Sequence, residues 1–195
     1  DGNQAFTSIY SAPVNASGWR LGGSLSVNQS EVTSGDFEDL SVEGDSTSVT
    51  LDASWLAISS NDFWVNALGS AMYSNSKTSV LGEDISDYDI NKFNTGAQFT
   101  WFGQGWQWSG RQLVGWVNTQ NNSASGADQS FAMLTGDSNA YYRPDQSDWY
   151  GLMQMDYQYT DEEAIPGAVA YSIGGPTSIR GYAPGLISGD YGIQT

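Results

Sequence analysis

The chain contains no cysteine and no histidine. Those absences exclude Cys/His zinc sites, iron–sulfur clusters, Ser-His-Asp and Cys-His nucleophile systems, and any disulfide framework. Basic residues are scarce as well: 6 Lys and Arg stand against 22 Asp and Glu, a net charge of −16. Nucleic acid is therefore not an expected partner, because binding it needs a basic footprint that displaces phosphate counterions. No apolar run approaches the roughly 20 residues of a membrane-crossing helix, and no signal peptide opens the chain. Catalysis would fall to carboxylates, Ser, Tyr and the few Lys and Arg, and nothing in their spacing specifies a reaction. The chain is read as a non-enzyme that needs no metal or cofactor.

What is present points to β-structure. The 195 residues suit one domain, and 23 Gly, 8 Trp and 11 Tyr against 5 Pro suggest strands joined by many turns. Trp19, Leu21, Gly23, Leu25 and Val27 alternate with Arg20, Gly22, Ser24, Ser26 and Asn28. Val49, Leu51, Ala53, Trp55 and Ala57 alternate with Thr50, Asp52 and Ser54, and Phe93, Thr95, Ala97, Phe99 and Trp101 with Asn94, Gly96, Gln98 and Thr100. A period of two with unlike sets marks a sheet with unlike faces. Phe63–Tyr73 and Trp149–Tyr159 continue it less cleanly, with Trp64, Leu68 and Leu152 on the wrong parity. Strands are expected at 5–12, 19–28, 47–58, 63–74, 92–101, 106–119, 148–160 and 166–173.

The connections have their own rhythm. Short links at Pro13–Gly18, Ser59–Asp62, Phe102–Gly105 and Asp161–Ile165 alternate with long ones at Gln29–Ser46, Asn75–Asn91 and Gln120–Ser147. Short turns at one end and long loops at the other characterise outer-membrane β-barrels, whose strands cross with about 9–11 residues. Tyr10, Trp19, Phe63, Tyr73, Trp101, Trp106, Trp149 and Tyr159 would then form interfacial girdles. A soluble β-sandwich or β-helix shares the alternation, so pattern alone leaves both open. The acidic clusters Glu31, Asp36, Glu38, Asp39, Glu43, Asp45 and Glu83, Asp84, Asp87, Asp89 lack EF-hand spacing and read as solvated loops.

Near the C-terminus stands Ile173-Gly174-Gly175-Pro176-Thr177-Ser178-Ile179-Arg180-Gly181-Tyr182, followed by Ile187-Ser188-Gly189-Asp190-Tyr191-Gly192. This string resembles the signature of two-partner secretion transporters, the haemolysin-activator (FhaC- and ShlB-like) family of the BamA-type barrel superfamily. Three sub-motifs fall in order: an Ile-Gly-Gly strand end, a hydrophobic-Arg-Gly-aromatic tetrapeptide, and Ser-Gly-Asp-x-Gly. The resemblance implies an all-β, antiparallel transmembrane barrel of about sixteen strands, monomeric, set in outer-membrane lipid of a Gram-negative bacterium. It also implies POTRA domains upstream and a secreted exoprotein of haemolysin or adhesin type as the partner. Arg180, Gly181 and Tyr182 would be the functional motif of a sixth extracellular loop inserted into the lumen. Gly174, Gly175, Ser188, Gly189, Asp190 and Gly192 would be supporting motif residues. The family places the acidic partner of Arg180 on a later strand, so Asp190 is not assigned that role.

Counting back from the motif places the long links outside the cell. Residues 1–195 would be a partial barrel domain, roughly strands four to eleven, with Ile193 opening strand twelve. The chain begins without Met and stops inside a patterned stretch, so a piece of a longer protein is expected. Two other functions stay open: a BamA- or TamA-like insertase sharing the Arg-Gly-aromatic loop, and a soluble, secreted β-rich carbohydrate-binding module.

Overall fold

The computed structural model describes residues 3–31, 41–123, 127–173 and 187–194. Nine strands form one antiparallel sheet: β1 (Asn3–Pro13), β2 (Trp19–Glu31), β3 (Val42–Ser59), β4 (Phe63–Val80), β5 (Glu83–Phe102), β6 (Trp106–Asn121), β7 (Gln129–Tyr142), β8 (Gly151–Tyr159) and, beside β8, β11 (Gly192–Gln194). Two short strands, β9 (Tyr171–Ile173) and β10 (Ile187–Gly189), pair with each other outside that sheet. Among the described residues there is no helix. Up to β8 every strand pairs with the strand before and after it in sequence. A meander of this kind is what short polar links between alternating segments produce.

The register sorts the two side-chain sets onto two faces. Leu21 lies opposite Ala53, Leu51 opposite Ala71, Val65 opposite Phe99 and Thr95 opposite Val114, so the apolar rows of neighbouring strands coincide. On the other face Ser24 meets Thr50, Ser70 meets Asn94 and Arg111 meets Asp137. Trp64, Leu68 and Leu152, out of phase in the sequence, do fall on this polar face, where Trp64 packs edge-on against Phe102 at 5.4 Å. The apolar face stays uncovered within the chain: Leu51 is 65% exposed and Ile193 63%.

Three expectations require correction. The long link expected at Asn75–Asn91 does not exist: β4 and β5 run through it and join at Leu81-Gly82. Both turn residues have positive φ, 55° and 78°, the two-residue geometry that fits strand twist, with glycine at the second position. Glu31, Glu43, Asp45 and Glu83–Asp89 are accordingly strand residues, not loop residues. Their polar side chains obscured the alternation, because polar residues dominate both faces of these extensions and only Tyr88 and Ile90 on β5 mark an apolar row.

A whole strand, β7, lies inside the expected loop Gln120–Ser147. Phe131-Ala132-Met133-Leu134 reads as a continuous apolar run because its two faces are both apolar at this height. Conversely, the strand expected at 166–173 is a strand only at Tyr171–Ile173, and that piece is outside the main sheet. Residues 166–170 form a turn closed by Val169 N–H donating to the Pro166 carbonyl at 2.9 Å. The added β7 and the lost 166–173 offset each other. The motif-bearing connection therefore still leaves the same end of the sheet as links 32–41 and 122–128, but it begins after Tyr159 rather than after Ile173.

Candidate functional site: a loop base seated on the polar face

The site is built where the chain leaves β8. Thr160 is buried and its hydroxyl donates to the Ala132 carbonyl at 2.8 Å, fixing the exit from the sheet. Ala164 then takes a φ of 57°, a left-handed conformation that costs an L-residue energy unless its surroundings hold it. Pro166 restricts the residue before it to extended backbone. Together these turn the chain back over the polar face, and Ile165 enters it.

Ile165, 7% exposed, packs with Ile90, Val117, Phe131 and Met133, all 3% exposed or less. Met72, Tyr88, Val169 and Ala170 close the cluster from the sides. Ile90 (β5), Val117 (β6), Phe131 and Met133 (β7) point to the polar face, so this is an apolar island on an otherwise hydrophilic wall. Lys92 lies at its lower margin, half-buried, its Nζ 3.6 Å from the Met133 sulfur. Its methylene stem extends the apolar seat while the ammonium faces the polar part of the wall.

Hydrogen bonds lock the two legs of the connection together. The Asp190 carboxylate accepts from both the Ala164 N–H (3.0 Å) and the Ile165 N–H (3.1 Å). Gln158, facing the same way from β8, donates through Nε2 to the Val169 carbonyl at 3.0 Å and to the Asp190 carbonyl at 3.3 Å. The Tyr171 hydroxyl donates to the Asp156 carbonyl at 3.1 Å. Its ring lies across Gly192, where a Cβ would strike it. β9 and β10 pair as Ile173–Ile187, Ser172–Ser188 and Tyr171–Gly189.

Of the residues singled out in the sequence, the structure thus brings together Ser188, Gly189, Asp190 and Gly192. Gly174, Gly175, Arg180, Gly181 and Tyr182 lie outside the described residues. Gly189 has room for a side chain, so its identity is unexplained by packing. Sequence reasoning missed Gln158, Ile165 and Tyr171. The Pro166-Gly167 dipeptide, a turn signal, was the available clue.

Below the island the polar face continues as a groove of about 440 Å³ walled by Arg20, Asp52, Asn66, Ser70, Gln98 and Arg111. Arg111 is held by Asp137 at 2.8 Å and Arg20 donates to the Ser11 hydroxyl at 3.2 Å. The face is polar and carries charges of both signs.

On the apolar face aromatics mark two levels. Trp19 stacks on Trp55 (5.8 Å) and Trp106 on Tyr142 (4.3 Å) at one end. Tyr73, Phe93 and Trp116 stand at the other. Beyond Tyr73 the same face turns polar at once. The Tyr73 hydroxyl donates to Asp89 at 2.7 Å, Asn75 donates to Asp87 and Asp89, Asn122 donates to Asp89, and Lys77 pairs with Asp84 at 2.8 Å.

These features agree with what the chain resembles. CdiB from Acinetobacter baumannii superposes with a TM-score of 0.74 at 19% identity, covering 98% of this chain and 35% of that one. CdiB from Escherichia coli superposes at 0.77 with 16% identity, covering 98% and 37%. The chain therefore spans about a third of the length of these structures and shares their barrel fold. No curated protein sequence matches it. The family model for haemolysin secretion/activation proteins ShlB/FhaC/HecB matches residues 1–195, and the chain belongs to that family.

Proposed function

We propose that this chain is the central wall of an outer-membrane transporter that secretes a large exoprotein of haemolysin or adhesin type by two-partner secretion. The observation that carries the reading is the two-faced wall. Ten residues separate Phe63 from Tyr73 and eight separate Phe93 from Trp101. At about 3.4 Å per residue and a tilt near 40°, those spans rise about 20–26 Å, the height of the apolar band of outer-membrane barrels. The apolar face meets lipid, the polar face lines the lumen, and the strand extensions beyond Tyr73 stand outside the cell.

Transport on this reading involves no bond chemistry. The client passes along the hydrated wall as an extended chain, drawn by its own folding outside. POTRA domains preceding the barrel recognise it, and one barrel suffices for a passage. The described strands correspond to roughly the fourth to the eleventh, and Ile193 begins the twelfth. The loop carrying Arg180, Gly181 and Tyr182 holds the barrel in its competent state through an acidic partner on a later strand.

The test uses the full-length transporter with its client in a Gram-negative host. Arg180→Ala should abolish secretion while the amount of folded barrel in the outer membrane is unchanged. Secretion at the parental rate would remove the motif's role. No export by the parental protein would remove the transport reading itself.

A further inference from the structure

We propose that Asp190 is a positioning residue whose carboxylate clamps the base of the lumenal loop, holding Ile165 in its apolar seat on the barrel wall until a passing client displaces it. The Ala164 and Ile165 amides leave the sheet at a left-handed residue and are both taken by the one carboxylate. A carboxylate accepting two backbone N–H groups makes charge-assisted bonds, stronger than the neutral pairs nearby. Because Asp190 sits directly after β10 and Ala164 directly before the turn, the two bonds tie the outgoing leg of the loop to its returning leg.

Gln158 repeats the tie from below, through Val169 and Asp190. The apolar island gives the clamp a reason to exist. Without Ile165, Val169 and Ala170 above them, Ile90, Val117, Phe131 and Met133 would be bare hydrophobic surface inside a hydrated pore. The same island would then be exposed to an unfolded client, which could seat its own apolar residues there. The loop therefore covers a site that becomes available when it lifts. The coupling to secretion rests on the transporter reading above, whereas the clamp itself does not.

The experiment places a single cysteine at Val169 of the full-length transporter, freed of any other cysteine, in intact cells, and follows its reaction with a membrane-impermeant maleimide. In the parental background labelling should be slow, because Val169 is half-buried against the apolar cluster. Asp190→Ala should speed it at least about tenfold, since two charge-assisted bonds are lost. Asp190→Asn keeps one acceptor oxygen and opposes an amide donor to the second N–H, so its rate should fall between. Ile165→Ala, with the carboxylate intact, should also speed labelling by emptying the seat.

Secretion should decline in the same order while the heat-modifiable folded barrel stays at parental level. Equal labelling rates in the parent, Asp190→Asn and Asp190→Ala would overturn the clamp. Should Asp190→Ala fail to assemble, the Asn and Ile165→Ala variants decide by the same readout. Faster labelling with undiminished secretion would keep the clamp and overturn its coupling to transport, and so distinguishes it from failure of the transporter reading.

Discussion

At the residue scale, the wall uses glycine where a neighbouring ring must lie flat against backbone. Tyr157 crosses Gly136 on the apolar face so that its hydroxyl accepts from Gln112 Nε2 at 2.7 Å, satisfying an amide that stands on an otherwise apolar surface. Tyr171 crosses Gly192 in the same manner inside the loop base. Gly192→Ala should therefore push the Tyr171 ring away and cost about 1–3 kcal/mol, as overpacking does. Gly189→Ala, whose Cβ would meet only the Tyr191 carbonyl at an ordinary contact distance of 3.6 Å, should change stability by only about 0.5 kcal/mol. Urea midpoints of the two full-length variants in detergent check the pair; equal midpoints would refute the packing argument. Asp190 illustrates what sequence could offer here. Its place in Ser-Gly-Asp-x-Gly marked it as a supporting residue, but its partners, two amides some twenty-five positions upstream, follow only from how the loop folds back.

At the element scale, the β4–β5 hairpin above Tyr73 is held on one face by side-chain hydrogen bonds, while Tyr88 and Ile90 pack into the apolar island on the other. Asp89 is kept below the usual carboxylate range, first by the Tyr73 hydroxyl, then by Asn122 and Asn75. Asp84 is lowered likewise, by Lys77 first and then Ser79. A carboxylate with a depressed folded pKa contributes stability above its unfolded pKa and loses it as pH falls through the folded value. The hairpin tip should accordingly keep its protection at neutral pH and fray on acidification below the ordinary carboxylate range. Hydrogen exchange of the amides in 74–80 measured against pH checks this; protection independent of pH would count against it. Asn75→Ala should return the Asp89 midpoint toward the ordinary value. This tip was misread as a loop because Ser, Asn, Thr, Asp and Lys dominate both of its strands and only Tyr88 and Ile90 are left to mark a period, so its cross-strand partners reveal it.

At the scale of the whole molecule, the sheet assigns each residue to an apolar or a polar face, and on the proposed barrel reading charge should be tolerated on the polar side alone. Ala97 faces the band halfway between Phe93 and Trp101, and Asn66 faces the polar groove at a similar height. Ala97→Arg should destabilise the barrel by about 2–4 kcal/mol, the cost of a cation at mid-bilayer. Asn66→Arg should change it by about 0.5 kcal/mol or less. Folded yield in the outer membrane and urea midpoints in lipid test the contrast, and an equal response would invert the assignment of faces.

The alternation of Trp19–Val27, Val49–Trp55 and Phe93–Trp101 determined the all-β class and the two faces by itself, because a period of two depends on nothing beyond the strand. The motif string from Ile173 to Gly192 likewise determined the family. Tertiary structure alone decided that Gln129–Tyr142 is a strand and that 166–170 is not. Phe131 and Met133 are apolar on the hydrophilic side because a returning loop covers them, and Ile165 and Val169 are apolar because they do the covering. Two segments distant in sequence share one buried cluster, and that reciprocity exists only once the chain has folded back onto its own wall.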